Sequence, residues 1–278
     1  MQSACDRLMQ INCDGFDRRI LKLMRHAATQ KQLVERLFAG SVAGGGGAEM
    51  SCGSCALTRI CLPARLPPEE VRILEHAVDR GHVLAPGATL IHAGLRMQAL
   101  YVLRSGSAKC YCLSAEGEES VRGFYLPGEL IGLESFAERR HPCYVVALEP
   151  VSYCKIPVTR FELLIDVLPG LRREIVRLMS QSLEESQRLR ASLGLVDARG
   201  RLAGFLLDLS RRLERRGVSP REFTLSMSRW DIARYLGLTV ETVSRGLTAF
   251  KRAGWLTVRL RHIAIRRPDA FAALTKLQ

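Results

Sequence analysis

The chain has 278 residues, 47% of them hydrophobic, and a formal net charge of +13 at pH 7. This length suffices for two domains with separate cores, and no apolar stretch reaches the roughly 20 residues that span a bilayer. Charged residues near the N-terminus exclude the apolar core of a signal peptide, so we expect a cytoplasmic protein with no membrane partner. Nine cysteines, an odd number, favour metal binding or burial over a disulfide framework.

The first 49 residues are predicted to form an extension that ends in a Gly-rich linker. Apolar residues recur at roughly helical spacing between Ile20 and Phe38, and Gly44 to Gly47 follow them. No residue in this extension points to a chemistry of its own.

A cysteine run follows the linker, with Cys52, Cys55 and Cys61 at C-x2-C-x5-C spacing. Close thiolates on a Gly- and Ser-containing loop are suitable ligands for a soft metal centre, either zinc or an iron–sulfur cluster. Both centres prefer four ligands, so we expect the chain to supply a fourth from elsewhere.

Short apolar runs separated by glycines extend from about His82 to Ile156, which predicts an antiparallel sandwich or barrel. Within one run, Cys110 and Cys112 are spaced to share one face of a strand. We expect these two cysteines to fill the core or to lie half exposed.

A long helix is predicted to begin at Pro169 and to end near Leu195. One apolar stripe of this helix could pack on the chain's own β region, but we favour a parallel homodimer. Two serines interrupt the stripe, so the dimer seam is expected to be weak. The predicted seam residues are Leu171, Ile175, Leu178, Ser182, Ser186, Leu189 and Leu193.

The C-terminal region is basic, with sixteen Lys and Arg against five Asp and Glu between Arg199 and Arg267. Such an excess indicates a polyanion as partner. Ser228 and Thr239 are suited to cap two short helices, and Gly237 suits the turn between them. This pattern predicts a helix–turn–helix that binds double-stranded DNA.

The second helix of this unit carries the candidate DNA contacts Glu241, Ser244 and Arg245, which share one face. Arg245 suits bidentate contact with guanine, and Glu241 can accept a hydrogen bond from cytosine N4. Two short apolar runs, 256–260 and 263–265, then predict a hairpin that forms a wing.

Together, these parts resemble the CRP/FNR superfamily of bacterial regulators, and especially its oxygen-sensing FNR branch. The matching stretches lie within residues 50–270 and include 52–63, 101–106, 123–130, 154–157, 177–180, 217–221 and 236–245. The resemblance implies an α+β fold: an N-terminal antiparallel β-roll like a cyclic-nucleotide-binding domain, a long dimerisation helix and a C-terminal winged helix–turn–helix domain. The predicted boundaries are 1–49, 50–168, 169–196 and 197–278.

In the FNR branch the metal centre is a [4Fe–4S] cluster. By the local match of residues 151–157, the resemblance implies Cys154 as the fourth ligand, with Cys143 as the competing candidate. It also implies that the intact cluster permits dimerisation, that oxygen degrades it, and that the anaerobic dimer binds a TTGAT–N4–ATCAA-like palindrome. Ile60 is expected to shield the cluster, and the acidic loop 116–119 resembles a surface that contacts RNA polymerase.

Two alternative interpretations are a zinc-structured regulator of the same fold and a cluster-carrying enzyme. The Cys-x3-Cys-x2-Cys run of radical-SAM enzymes is absent, as are a Ser/His/Asp constellation and a phosphate-binding loop, so we predict no catalytic residues. Cyclic-nucleotide relatives place an Arg followed by Ser or Thr after the Gly-Glu-Leu segment. Here residues 140–143 read Arg-His-Pro-Cys, so we expect no cyclic nucleotide.

Overall fold

The segment that follows the cysteine run is a 3₁₀ turn, Leu62–Arg65, and then helix α1, Pro68–His76. The structure, a computed structural model, describes residues 51–195 and 197–275, and for residues 192–195 it describes the backbone alone. The predicted extension 1–49 and the side chain of Leu193 therefore lie outside the described residues. Proline is suited to the start of α1 because a backbone N–H at the first helical position would have no partner within the helix.

A β-roll forms the next part of the chain, as the glycine-separated runs predict. Its strands form two antiparallel four-stranded sheets, with orders β1-β8-β3-β6 and β2-β7-β4-β5. Alternate apolar side chains, among them Leu103, Ile131 and Val145, pack between the sheets. The strands are β1 (Asp79–Leu84), β2 (Thr89–Ile91), β3 (Ala99–Ser105), β4 (Ala108–Leu113), β5 (Glu119–Tyr125), β6 (Leu130–Ile131), β7 (Tyr144–Ala147) and β8 (Val151–Pro157).

Two helices follow the β-roll. The first, α2 (Val158–Val167), was not predicted, whereas the second, α3 (Pro169–Leu195), has the predicted bounds. In the described part of the chain no helix combines the length and apolar character needed to cross a membrane.

The position of α3 places the predicted seam residues in different surroundings. Leu171 and Ile175 are buried within their own chain, at 0% and 8% exposure, where α3 packs on α2 and on the 3₁₀ turn. In this structure these two side chains are covered by their own chain, and their place in a dimer seam stays a prediction. Further along the same stripe, Leu178 and Leu189 are half-buried, and Ser182 and Ser186 are exposed.

The C-terminal region contains four helices and a small sheet among its described residues. The predicted wing is confirmed as β10 and β11, and a strand that was not predicted, β9, extends it to the order β10-β11-β9. The elements are α4 (Ala198–Glu214), β9 (Glu222–Thr224), α5 (Arg229–Leu236), α6 (Val240–Arg252), β10 (Leu256–Arg259), β11 (His262–Ile265) and α7 (Pro268–Leu274).

The β-roll and the C-terminal region share one apolar core. Phe124 of β5 lies against Phe205 of α4 and Tyr235 of α5, with ring centroids 5.4–6.0 Å apart. Beside this core, Glu129 pairs with Arg212 at 2.7 Å and Arg216 at 2.6 Å. A carboxylate from the β-roll thus holds the guanidinium groups of Arg212, on α4, and of Arg216, two residues beyond its end.

Cysteine pairing departs from the sequence analysis. Cys112 and Cys143 form a disulfide bond, whereas the sequence favours metal binding or burial for its cysteines. The bond joins residues 31 positions apart, and the register of β4 and β7 brings them together. Cys110 is buried in the β-roll core, as one of the two alternatives predicted.

Candidate metal centre and DNA-reading helix

Four cysteines of the described chain line one cavity on the outer side of the sheet β1-β8-β3. Cys52, Cys55 and Cys61 come from the N-terminal loop, and Cys154 comes from the middle of β8. The cavity contains about 390 Å³ of empty space, part of it open to solvent. All four predicted ligands are thus brought to one place, although Cys154 lies some ninety residues from the other three.

Local hydrogen bonds hold the loop in a tight conformation. The Thr58 hydroxyl donates to the carbonyl oxygens of Cys52 and Cys55, at 2.5 and 2.6 Å. Gly53 N donates to Glu75 Oε1 at 3.1 Å, which fastens the loop to α1. These contacts fix the backbone on both sides of the first two cysteines.

Burial raises the pKa of thiols in this cavity when no metal is bound. It raises the pKa of Cys61 to about 12 and that of Cys154 to about 11, and neighbouring thiols add to the effect in both cases. Burial also raises the pKa of Cys52, although Arg80 Nη2 donates a hydrogen bond to its sulfur at 3.2 Å. Arg80 and Arg104, which no sequence motif pointed to, both line the cavity and carry positive charge towards it.

Two other predicted participants lie away from the cavity wall. Cys143, the competing fourth ligand, lies just before β7 of the opposite sheet and is bonded to Cys112. Ile60 packs on Gly128, where a Cβ atom would come within 3.0 Å of Ile60 Cγ1. Ile60 thus anchors the loop on the β-roll and does not line the cavity.

The helix–turn–helix has the caps that the sequence predicts. The Ser228 hydroxyl accepts a hydrogen bond from Asp231 N at 3.1 Å, and the Asp231 carboxylate accepts one from Ser228 N at 2.9 Å, which completes a capping box. Gly237 ends α5 with φ +61°, a conformation that other residues adopt only at a cost. Thr239 caps α6 by accepting from Thr242 N at 3.1 Å.

The three candidate DNA contacts lie on the solvent side of α6. Glu241 and Arg245 are exposed and Ser244 is half-buried. Hydrogen bonds from its own backbone N–H and from Thr239 lower the pKa of Glu241, and Arg245 adds to this, so Glu241 is an acceptor at neutral pH. Arg229, which the sequence analysis missed, donates to Ser244 Oγ at 3.2 Å and adds a positive charge to this surface.

Comparison with known proteins agrees with both halves of this architecture. A model of the cyclic nucleotide-binding domain matches residues 82–167, and a model of the Crp-like helix-turn-helix domain matches residues 200–274. The fumarate and nitrate reduction regulatory proteins of Escherichia coli and Salmonella typhi are each 38% identical over 245 residues, which is 88% of this chain and 96% of each relative. The chain belongs to the FNR branch of the CRP/FNR superfamily.

Solved structures show the same fold for this FNR-branch protein. FixK2 from Bradyrhizobium japonicum is 26% identical, with a TM-score of 0.66 over 71% of this chain and 97% of that one. A putative cAMP-binding regulatory protein from Silicibacter pomeroyi is 25% identical, with a TM-score of 0.57 over 80% of this chain and 97% of that one. The predicted α+β fold is confirmed.

Family membership gives the FNR-branch chain its general function. It is an oxygen-responsive, DNA-binding transcriptional regulator that forms dimers, and its relatives are named as regulators and not as enzymes. The match to a cyclic nucleotide-binding domain concerns the β-roll fold. Arg140, at the position discussed for cyclic nucleotides, donates to Gly94 O at 2.7 Å, and the expectation of no cyclic nucleotide stays a prediction.

Proposed function

We propose that Cys52, Cys55, Cys61 and Cys154 bind a [4Fe–4S] cluster, and that the cluster-bound form is the dimer that binds DNA. The observation that carries this proposal is the single cavity bounded by these four thiols. Iron–sulfur clusters are held by cysteine thiolates, and a [4Fe–4S] centre takes four of them. When bound, the cluster would supply an oxygen-labile link between the N-terminal loop and β8.

Zinc is the second candidate, and it differs from the cluster in the spacing that it requires of the sulfur atoms. Four cysteines on one zinc ion must all bring their sulfurs to about 2.3 Å from a single point. Within residues 51–195 and 197–275, no three Cys, His, Asp or Glu side chains are arranged to hold one metal ion. Each cysteine of a four-iron cluster binds a different iron atom, so its sulfurs stand farther apart.

The charges around the cavity also suit four thiolates. Arg80 and Arg104 lie in its wall and offset the negative charge that the sulfurs carry once their protons are lost. Because Cys61 and Cys154 are protonated at neutral pH without metal, loading the site must release protons from the protein.

The loop is mechanically connected to the dimerisation helix. Cys61 is followed at once by the 3₁₀ turn whose residues Leu62 and Pro63 are buried, and this turn packs on α3. On α1, the buried carboxylate of Glu70 accepts hydrogen bonds from the backbone of Gly170 and Leu171, at the start of α3. A change in the position of the loop therefore bears directly on α3.

A second copy of the chain is the proposed occupant of an apolar stripe on α3. Val176, Met179 and Leu183 are 60%, 50% and 56% exposed, and their spacing of three and four residues places them on one side of the helix. Ser186, from the predicted seam, continues the same stripe. The short apolar seam explains why a few kcal/mol from the metal site suffice to shift the monomer–dimer equilibrium.

The dimer would present two copies of α6 to DNA about 34 Å apart, one helical turn of the duplex. A palindrome like TTGAT–N4–ATCAA meets that requirement, with Glu241, Ser244 and Arg245 as the base-reading residues. RNA polymerase is the proposed second partner, through the acidic turn between β4 and β5, where Glu118 is exposed. Since DNA is the partner, we infer a cytoplasmic location.

Purification without oxygen tests the proposal. We expect a brown protein with about four iron and four sulfide per chain, which sediments as a dimer and loses colour, dimer and DNA affinity in air. Stoichiometric zinc in a colourless protein would replace the cluster proposal with the zinc alternative.

Cys154→Ser and Cys143→Ser make a matched pair of variants for the ligand assignment. Cys154→Ser is expected to lose the cluster and anaerobic DNA binding, whereas Cys143→Ser is expected to keep both. The reverse result would assign the fourth ligand to Cys143.

A further inference from the structure

Cys112 of β4 and Cys143, the residue just before β7, form a pair of cysteines in the β-roll. Tyr111 of β4 lies opposite Tyr144 of β7, so the next position along β4 faces Cys143. The Cα atoms of the pair are 4.7 Å apart, close to the roughly 4.5 Å of a non-hydrogen-bonded antiparallel pair. The strand register therefore holds the two sulfurs together whether or not a bond joins them.

This pair is separate from the proposed cluster ligands. It lies in the sheet β2-β7-β4-β5, whereas the metal cavity lies over the sheet β1-β8-β3-β6. Cys112 and Cys143 are both half-exposed, so a small thiol or disulfide in solution can reach them. Cys110, two residues earlier on the same strand, is buried in the core, and burial raises its pKa to about 12.

We propose that Cys112 and Cys143 are a reversible thiol–disulfide site, whose reaction partner is a low-molecular-weight disulfide. One cysteine thiolate attacks the small disulfide, forms a mixed disulfide and releases one small thiol. The other cysteine then attacks the mixed disulfide and releases the second small thiol. The two cysteines lose two protons and two electrons, and one small disulfide is reduced to two thiols.

The position of the pair predicts what its oxidation changes. β4 also carries Lys109, whose Nζ bonds Asp231 of α5 at 2.9 Å and Glu119 of β5 at 3.0 Å. The neighbouring strand β5 contributes Phe124 to the core shared with the C-terminal region. Oxidation thus links β4 covalently to the start of β7, next to the strands that contact the DNA-binding region. This link provides a redox input that is independent of the cluster.

The test uses the full chain, purified and handled without oxygen. The protein is equilibrated with mixtures of glutathione and glutathione disulfide, its free thiols are trapped with an alkylating reagent, and its peptides are mapped by mass spectrometry. We expect a Cys112–Cys143 cross-link that increases with the share of glutathione disulfide and disappears with dithiothreitol, while the visible absorbance of the metal centre stays constant. Complete alkylation of both cysteines in every mixture would overturn the proposal.

Three serine variants sharpen the result. Cys112→Ser and Cys143→Ser should each leave the other cysteine as a mixed disulfide with glutathione, whereas Cys110→Ser should still form the cross-link. Wild-type protein should melt several degrees higher when oxidised than when reduced, and the Cys112→Ser/Cys143→Ser double variant should melt like the reduced form in both buffers. Equal melting of oxidised and reduced wild-type protein would overturn the stiffening of β4.

Discussion

Glu70 Oε1 accepts a hydrogen bond of 3.0 Å from the backbone N–H of Gly170, and Oε2 accepts another from Leu171 at the same distance. A carboxylate that is only 4% exposed thus caps the first turn of the dimerisation helix from a helix that follows the metal loop. Helix N-termini favour negative charge because their first N–H groups lack partners within the helix. The contact joins α1, which follows the proposed cluster loop, to α3, the proposed dimerisation helix.

Removing this cap should weaken both folding and dimerisation. Glu70→Ala leaves two buried N–H groups unpaired, so we expect a loss of about 2–4 kcal/mol in the free energy of unfolding. Glu70→Gln, which keeps one acceptor oxygen, should lose less. Urea unfolding and sedimentation equilibrium measure the two effects, and Glu69→Ala, at an exposed neighbouring position, is the control. An unchanged dimerisation constant in Glu70→Ala would show that the cap does not position α3.

Substitutions at two adjacent positions of α3 can distinguish the exposed apolar stripe from the stripe that the sequence predicted as the seam. Leu183→Glu puts a charge into the exposed apolar stripe, and we expect it to weaken dimerisation about 100-fold, or roughly 3 kcal/mol, since both copies lose a buried leucine. Ser182→Glu, one residue away on the originally predicted stripe, should change the dimerisation constant little. Sedimentation of the anaerobic protein measures both, and a stronger effect of Ser182→Glu would reinstate the original seam.

Arg245 should contribute sequence discrimination to DNA binding. Arg245→Ala is expected to cost about 1–3 kcal/mol at a TTGAT–N4–ATCAA site through the loss of a bidentate base contact. Lys251→Ala, at the exposed far end of α6, should weaken binding to specific and unrelated duplexes alike. Fluorescence anisotropy at fixed salt measures the ratio of the two affinities. If that ratio is unchanged in Arg245→Ala, the side chain contacts phosphate only.

The junction between β4 and α5 should make stability depend on pH in the acid range. Burial alone would raise the pKa of Asp231, but hydrogen bonds from Ser228 and Lys109 outweigh it, and the pKa lies below the usual value of 3.8. The resulting stabilisation is present above the unfolded pKa and is lost as the pH falls through the lower folded pKa. Wild-type protein should therefore have a higher melting temperature than Asp231→Asn at pH 6, and the difference between the two melting temperatures should decrease below about pH 4. A difference in melting temperature that stays constant from pH 6 to pH 3 would contradict this role of Asp231.

Local rules account for the parts that sequence predicted well. Ser228 and Thr239 cap helices and Gly237 makes the turn between them because each acts on backbone groups within a few residues. The bounds of α3 were predictable for the same reason: Pro169 begins it, and its apolar pattern runs to Leu195. The pairing of Cys112 with Cys143 was not predictable, since the register of β4 and β7 creates it.

By itself, the sequence determined that a thiol-rich loop precedes a β domain, a long helix and a DNA-binding helix–turn–helix. Its resemblance to relatives pointed to Cys154, but only the tertiary structure placed that residue with Cys52, Cys55 and Cys61 around one cavity. The tertiary structure also decided which stripe of α3 is free, because Leu171 and Ile175 are buried while Val176 and Leu183 are exposed. Periodicity identifies an apolar face, but what covers that face depends on contacts between residues far apart in the chain.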